Sequence, residues 1–368
     1  MLQARALIAL VLVPAVSAQA ALLTFADHTW QIDARSARVE RADDRELLLV
    51  DSGTVWLADT KLEDVVIEFD VSIPRAALGF GGVAFRAVGP DDFEEFYLRA
   101  HLSGQPDASQ YQPVINGVGA WQIYGDANAT AAVTLRHGGW MHVKLVVRGD
   151  VADVYVDSAE PLLHVPDLKR DAVAGTIGLR ASGLPFRFSR FSARPVREDD
   201  PIVGEAAEAT TLPGTLIRRW HVSDPFRESE LTATLDLPGA LPGSRTWTTL
   251  DVESNGIANL ARVARRTGER DTVLARLVID AEQAATRQFA FGYSDRVRIY
   301  LNGRLLFAGD AGWATRDYRF LGTVGRQDSV GLHLQPGRNE LILAVSESFG
   351  GWAVTGDLDD RAGLSLRY

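Results

Sequence analysis

Apolar and polar side chains alternate with a period of two through nearly every patterned stretch of this 368-residue chain, and that rhythm confines it to β structure. Val65-Val-Ile-Glu-Phe-Asp-Val-Ser-Ile73 sets Val65, Ile67, Phe69, Val71 and Ile73 on one face and Glu68, Asp70 and Ser72 on the other. Residues 141–147 and 151–157 alternate likewise across a turn at Arg148-Gly149-Asp150, and residues 175–180 and 186–191 complete a first set. No amphipathic helix interrupts residues 21–195, so the stretch predicts an antiparallel sandwich. Residues 196–215 are rich in Pro, Ala and acidic side chains, keep no strand period, and predict a flexible linker. Strands resume near Leu216. Asn302-Gly303 between two β-rich runs is a hairpin signal. Residues 339–345 are apolar on both faces and predict a central strand. The expected class is all-β, with one antiparallel sandwich over 21–195 and another over 216–368. No repeat of solenoid or propeller period is present.

Ahead of the first strand, residues 6–16 form an apolar run behind Arg5, and Ser17-Ala18-Gln19-Ala20 follows. Small residues at Ala18 and Ala20 suit signal peptidase, so a leader over 1–20 and a periplasmic or secreted mature chain are expected. The apolar run is too short to span a bilayer, and no later segment is apolar enough to do so. The chain has no cysteine, which excludes disulfides, zinc ribbons, iron–sulfur clusters and thiol chemistry. An exported chain without disulfides depends on its core, and 46% hydrophobic residues can supply one. A net charge of −10 argues against nucleic acid as a partner. Only Lys61, Lys144 and Lys169 among the 38 Lys and Arg residues are lysines, a bias of high-GC bacterial genomes.

The stretch richest in chemistry is Asp92-Phe-Glu-Glu-Phe-Tyr-Leu-Arg-Ala-His-Leu102. As a strand it turns Phe96, Leu98, Ala100 and Leu102 inward and Glu95, Tyr97, Arg99 and His101 outward. Such a row offers an aromatic face to the C–H side of a sugar ring and hydrogen-bonding groups to its hydroxyls. It is equally the composition of a solvated sheet face with cross-strand ion pairs. Residues 109–125 then gather Tyr111, Trp121 and Tyr124 beside Gln110, Gln112, Asn116 and Gln122. Aromatic walls with a few placed polar groups are what small-ligand sites present, which favours a ligand-facing cluster. Of these aromatics, Trp121 is the one expected to be buried.

Three runs together resemble a known superfamily: Gly79-Phe-Gly-Gly-Val-Ala-Phe-Arg86, Phe96-Tyr-Leu-Arg99, and Gln110-Tyr-Gln-Pro-Val-Ile-Asn-Gly-Val-Gly-Ala-Trp-Gln-Ile-Tyr124. They look like the concanavalin A-like lectin/glucanase superfamily, nearest its LamG-like and domain-of-unknown-function 1080 members, over roughly residues 25–195. Val297-Arg-Ile-Tyr-Leu-Asn-Gly-Arg304 and Gly337-Arg-Asn-Glu-Leu-Ile-Leu-Ala-Val345 are similar to galactose-binding-like domains. The resemblance implies two jelly-roll-type sandwiches and a glycan-handling face on the first. The candidate ligand-binding residues are Arg86, Glu95, Tyr97, Arg99, His101, Gln112, Asn116, Trp121 and Tyr124.

Laminarinase-type members of that superfamily carry their acids as E-x-D-x-x-E on one strand. Here Glu68-Phe-Asp70 keeps the first two, but Ile73 stands where the third would fall, so no catalytic pair carries over. Glu68 and Asp70 are expected to face solvent on an edge or outer strand. The acidic runs Asp91-Asp92 with Glu94-Glu95, and Asp357 with Asp359-Asp360, read as solvated loops. The latter could hold Ca²⁺, though without EF-hand spacing. The seven histidines lack metal-ligand spacing, and no G-x-S-x-G is present. Arg148-Gly149-Asp150 is explained by its turn. Trp313, Asp317, Tyr318 and Trp352, in Gly-rich loops, form either a sugar platform or core caps. Recognition of an oligosaccharide or polysaccharide, without cofactor or membrane span, is the leading expectation. Two alternatives stay open: a glycoside hydrolase using Glu95 with another acid or His101, and a module docking a partner protein or the cell envelope.

Overall fold

The computed structural model describes residues 21–42, 44–126, 128–208, 210–231, 235–312, 315 and 323–368. The expected leader and the loop residues Trp313, Asp317 and Tyr318 lie outside the described residues. The chain is an all-β protein. Among the described residues its helical turns are confined to three short segments, Glu228–Leu231, Ala240–Gly243 and Leu260–Arg262.

The first sandwich opens with β1 (Leu22–Phe25), β2 (His28–Ala42), β3 (Arg45–Leu57), β4 (Val65–Ser72), β5 (Phe80–Gly89), β6 (Asp92–Arg99) and β7 (Ser109–Ile115). It continues with β8 (Val118–Gly119), β9 (Thr130–Ala131), β10 (Trp140–Arg148), β11 (Val151–Val156), β12 (Leu163–Val165), β13 (Thr176–Ser182) and β14 (Phe186–Pro195). One hydrogen-bonded ladder runs β12-β11-β10-β4-β14-β3-β13-β5-β6-β7-β8. The long β3 passes this ladder between two layers. Its residues Leu48 to Val50 pair with β14, while Gly53 to Trp56 pair with β13. At the changeover Gly53 has φ +141, and a Cβ there would lie 2.4 Å from the Ala34 Cα of β2, so only glycine lets the hairpin partner come this close. The layers face each other because one core takes Val65, Ile67, Phe69, Val71, Val143 and Leu145 from one arm and Val83, Phe85, Phe96, Leu98 and Leu179 from the other.

Alternation thus placed the inward residues of β4 and β6 as expected, but β4 is flanked by β10 and β14 and is no edge strand. Its Asp70 is buried and held by Arg45 at 2.7 Å and His142 at 3.0 Å, whereas Glu68 remains part-exposed. The acidic run before β7 is also not solvated throughout. Glu94 and Glu95 lie within β6 and are buried, and Asp91 and Asp92 meet Arg265 at 2.6 and 3.7 Å.

The second sandwich contains β15 (Arg219–Ser223), β16 (Trp247–Asp251), β17 (Ala258–Asn259), β18 (Thr272–Ala281), β19 (Ala285–Ser294) and β20 (Arg296–Leu301). After these come β21 (Arg304–Asp310), β22 (Asp328–Leu334), β23 (Gly337–Ser346), β24 (Ala353–Leu358) and β25 (Leu364–Arg367). One sheet is ordered β16-β15-β18-β23-β20-β21 with β25 on β18, and the other β17-β24-β19-β22. Asn302 (φ 52) and Gly303 (φ 83) make the tight turn joining β20 to β21. β23 lies between β18 and β20. Its two apolar faces have separate uses: Leu341, Leu343 and Val345 enter the inter-sheet core, while Ile342 and Ala344 pack under Phe226, Leu231 and Leu241. Trp352 is fully buried, its indole donating to the Val345 carbonyl at 3.0 Å, and so is a core residue rather than a surface platform. Asp357 lies within β24 and is part-buried, not in a solvated loop, while Asp359 and Asp360 beyond it are exposed.

Residues 196–207, read as a flexible tether, are pinned to the first sandwich. Arg194 grips Asp200 through two bonds of 2.5 and 2.6 Å, Val203 N donates to buried Asp153 at 2.6 Å, and Ala207 N donates to the Pro166 carbonyl at 2.8 Å. The sandwiches also exchange side chains. Ile115 and Val118 belong to the core of the second, and Ile257, Val324 and Ala353 to that of the first. Among the described residues, no helix is long and apolar enough to cross a membrane.

Candidate functional site

Residues opposite one another on antiparallel strands share a face, so register defines the candidate site. Glu95 lies between Ala84 of β5 and Gln112 of β7, Tyr97 between Gly82 and Gln110, and Arg99 beside Phe80. β13 adds Arg180 opposite Gly82 and Thr54, and β3 adds Trp56 opposite Gly178. The face therefore carries the expected Glu95, Tyr97, Arg99 and Gln112, joined by Trp56, Phe80, Phe93, Gln110 and Arg180.

These side chains are mutually braced. Arg180 ion-pairs with Glu95, and its Nε donates to Thr54 Oγ1 at 3.1 Å. Its guanidinium also stacks 4.6 Å from the Phe93 ring, which meets Trp56 edge-on at 5.6 Å. The second oxygen of Glu95 accepts from Gln112 Nε2 at 2.5 Å. Gln112 Oε1 is buried and has no partner. Farther along β6, Arg99 donates to Gln110, to Tyr97 Oη at 3.2 Å and to Asp107 at 2.5 Å. Tyr97 donates to Gln110 Oε1 at 3.0 Å, and burial pushes its phenol up to about 12, so it stays a neutral donor. Gln110 Nε2 in turn donates to the carbonyls of Trp121 and Tyr124, both at 3.0 Å, tying residues 121–124 to this end of the sheet. The polar side chains of this face are held in one geometry by their neighbours, and Glu95, Tyr97, Arg99, Gln110 and Gln112 are buried, as are Trp56 and Phe93.

The remaining expected residues have other places. Trp121 is half-buried rather than buried. It rests over Arg99, ring to guanidinium 5.6 Å, at the end of the face. His101 is exposed beyond the end of β6 and meets Phe80 edge-on at 5.4 Å. Partial burial and then the neighbouring Arg99 charge lower its pKa. Arg86 is turned away from the face and fully buried at a bulge in β5, donating to the Glu63 carbonyl at 2.7 Å and to Asp64 at 3.1 Å. Asn116 donates across to the Ala261 carbonyl at 2.8 Å, and Tyr124 Oη to Glu253 at 2.6 Å, so both dock the second sandwich. Arg86, Asn116 and Tyr124 are thereby removed from the face, because each satisfies a buried or interfacial partner that alternation along one strand does not reveal. Alternation marks Arg180 and Trp56 as outward-facing, though not as members of this face. In β13 Ile177 and Leu179 point inward, which turns Arg180 outward, and Val55 and Leu57 do the same for Trp56.

Glu95 and His101 are six positions apart, about 20 Å along an extended chain, too far for the two to act on one glycosidic bond. No cluster of three or more His, Cys, Asp or Glu suited to a metal ion occurs among the described residues.

No family model matches the chain, and a search of the curated proteins finds no match. Several solved structures share a similar sandwich at low identity. Carbohydrate binding module CBM66 from Bacillus subtilis aligns at 15% identity and a TM-score of 0.34, over 45% of this chain and 94% of its own. A protein of unknown function with a galectin-like fold, also from Bacillus subtilis, aligns at 14% identity and 0.36, over 45% and 88%. The GH43 protein BlXynB from Bacillus licheniformis aligns at 12% identity and 0.32, over 45% of this chain and 35% of its own.

Proposed function

We propose that the chain is an exported carbohydrate-binding protein that holds a glycan non-covalently on the β13-β5-β6-β7 face of its first sandwich. The observation that carries this reading is the combination of flanking aromatic rings with a rigid polar centre. Arg180, Glu95 and Gln112 are locked to one another between Trp56 and Phe93 on one side and Tyr97 and Arg99 on the other. Trp56, Phe93 and Tyr97 are buried and brace this centre, so stacking on the C–H face of a sugar falls to the part-exposed rings of Phe80 and Trp121, and Arg180, a third exposed, offers donors to its hydroxyls. Gln112 Oε1 is enclosed, so Gln112 serves this face by holding Glu95 in place. Hydrolysis has less support, since Glu95 is committed to Arg180 and Gln112.

Thermal-shift measurement on residues 21–368 across a panel of oligosaccharides tests this reading, because a ligand that prefers the folded state raises its melting temperature. One glycan class should raise it, and Gln112→Leu should abolish the rise while leaving the unliganded transition cooperative. An unshifted panel, or a shift indifferent to Gln112→Leu, refutes the assignment.

A further inference from the structure

An aromatic row runs off the end of this face and crosses onto the second sandwich. From Tyr97 it passes through Arg99, whose guanidinium lies 5.5 Å from the Tyr97 ring and 5.6 Å from the Trp121 ring. Trp121 in turn meets Phe349 of the loop between β23 and β24, ring centres 5.8 Å apart and planes at 59°. Phe349 is 60% exposed, more than any other phenylalanine among the described residues.

The loop that presents Phe349 is held from both sides. Beneath it, the buried Asp295 carboxylate accepts from Ser348 N at 2.8 Å and Phe349 N at 3.1 Å, and buried Glu347 accepts from Gly351 N at 3.1 Å. Across the boundary, Gln122 N donates to the Gly350 carbonyl at 2.9 Å. Gly350 (φ +106) and Gly351 (φ +144) lie against Gln122 and Ile123, where a Cβ would come within 2.4 and 2.9 Å. Burial raises the pKa of both carboxyls, that of Glu347 to about 8, so seating them under this loop is unfavourable in itself. The fold accepts that burden and the exposure of an apolar ring, and the result is a ring fixed beside Trp121.

Resting on the carbohydrate reading above, we infer that the two sandwiches form one composite site, in which Phe349 supplies an outer stacking position for an extended oligosaccharide lying over Phe80 and Trp121 at the end of β6. From Phe80 through Tyr97, Arg99 and Trp121 to Phe349 the successive ring and guanidinium centres are 5.5 to 6.0 Å apart, and Phe80, Trp121 and Phe349 are the exposed or part-exposed rings of the row. A row of that length suits a linear oligosaccharide rather than a single sugar or a chain terminus.

Calorimetric titration of residues 21–368 with cellohexaose, laminarihexaose, xylohexaose and mannohexaose, each beside its own disaccharide, tests the inference. For a hexasaccharide that binds, Phe349→Ala should weaken affinity about tenfold while disaccharide affinity holds, and Phe349→Tyr should restore it. Gln112→Leu should abolish both. Full hexasaccharide affinity in Phe349→Ala, with binding lost in Gln112→Leu, overturns the composite site and leaves the glycan reading standing. Failure of every probe to bind the unaltered chain overturns both. Phe349 also touches Trp121, so the melting transition of Phe349→Ala is measured beside the parent's to show that the variant is folded.

Discussion

Glu94 has no solvent exposure, and its two oxygens accept from Tyr111 Oη at 2.8 Å and Arg170 N at 2.8 Å. Burial pushes its carboxyl from the ordinary 4.5 up to about 7, against the opposing pull of those hydrogen bonds and of Arg170 and Arg86. Below pH 4.5 the folded and unfolded chains both carry the proton, and Glu94 places no pH-dependent load on the fold. Between 4.5 and 7 the unfolded chain releases a proton that the folded chain keeps, so stability is lost as pH rises through this window and the deficit then stays constant. At ~1.4 kcal/mol for each pH unit, the loss amounts to about 3–4 kcal/mol. Glu94→Gln keeps the size and the acceptor for Arg170 N but cannot ionise. Urea midpoints of parent and variant, followed by intrinsic fluorescence from about pH 5 to 8, should therefore diverge, the parent weakening relative to the variant. Glu347, pushed up to about 8, is common to both proteins and cancels in the difference. Parallel curves across the window, or a variant that weakens faster than the parent, would refute the reasoning.

Three further outcomes are expected. Gly303→Ala places a Cβ at φ 83 with no steric neighbour, and thermal melts should show a loss of ~1 kcal/mol from backbone strain alone. Tyr124→Phe removes the hydroxyl between Glu253 and Asn259, and should destabilise by about 1–3 kcal/mol in denaturant titration. Arg180→Met leaves the buried Glu95 carboxylate with Gln112 alone. The stability loss should be about 2 kcal/mol, below that of a fully buried pair because Arg180 is a third exposed, and glycan-induced thermal shifts should vanish with it.

Strand rhythm made the all-β class legible, together with the inward faces of β4, β6, β10 and β11 and the β20–β21 turn, since a period of two is a local property. Glu95, Tyr97, Arg99 and Gln112 were legible as one face for the same reason. What alternation cannot encode is which strand lies beside which. That hid the arrival of Arg180 and Trp56 from β13 and β3, and it hid the seating of Asn116 and Tyr124 against the second sandwich. Arg86 misled because a charged residue after a strand of small and apolar residues gives no local sign of the bulge that turns it to Glu63 and Asp64. The segment 196–207 misled because its composition is that of a tether. Its attachment depends on Asp153 and Arg194, one of them more than 40 residues distant.

Ile115 and Val118 sit in the apolar interior of the second sandwich, and Ile257, Val324 and Ala353 in that of the first. A cut anywhere between residues 195 and 216 would strip both halves of interior side chains and leave matching greasy sockets facing water. The halves are thus unsuited to exchange as independent cassettes by recombination, and each expressed alone should be prone to self-association. In a calorimeter the intact chain should give one endotherm rather than two, a single heritable and cooperative unit despite its two-sandwich appearance.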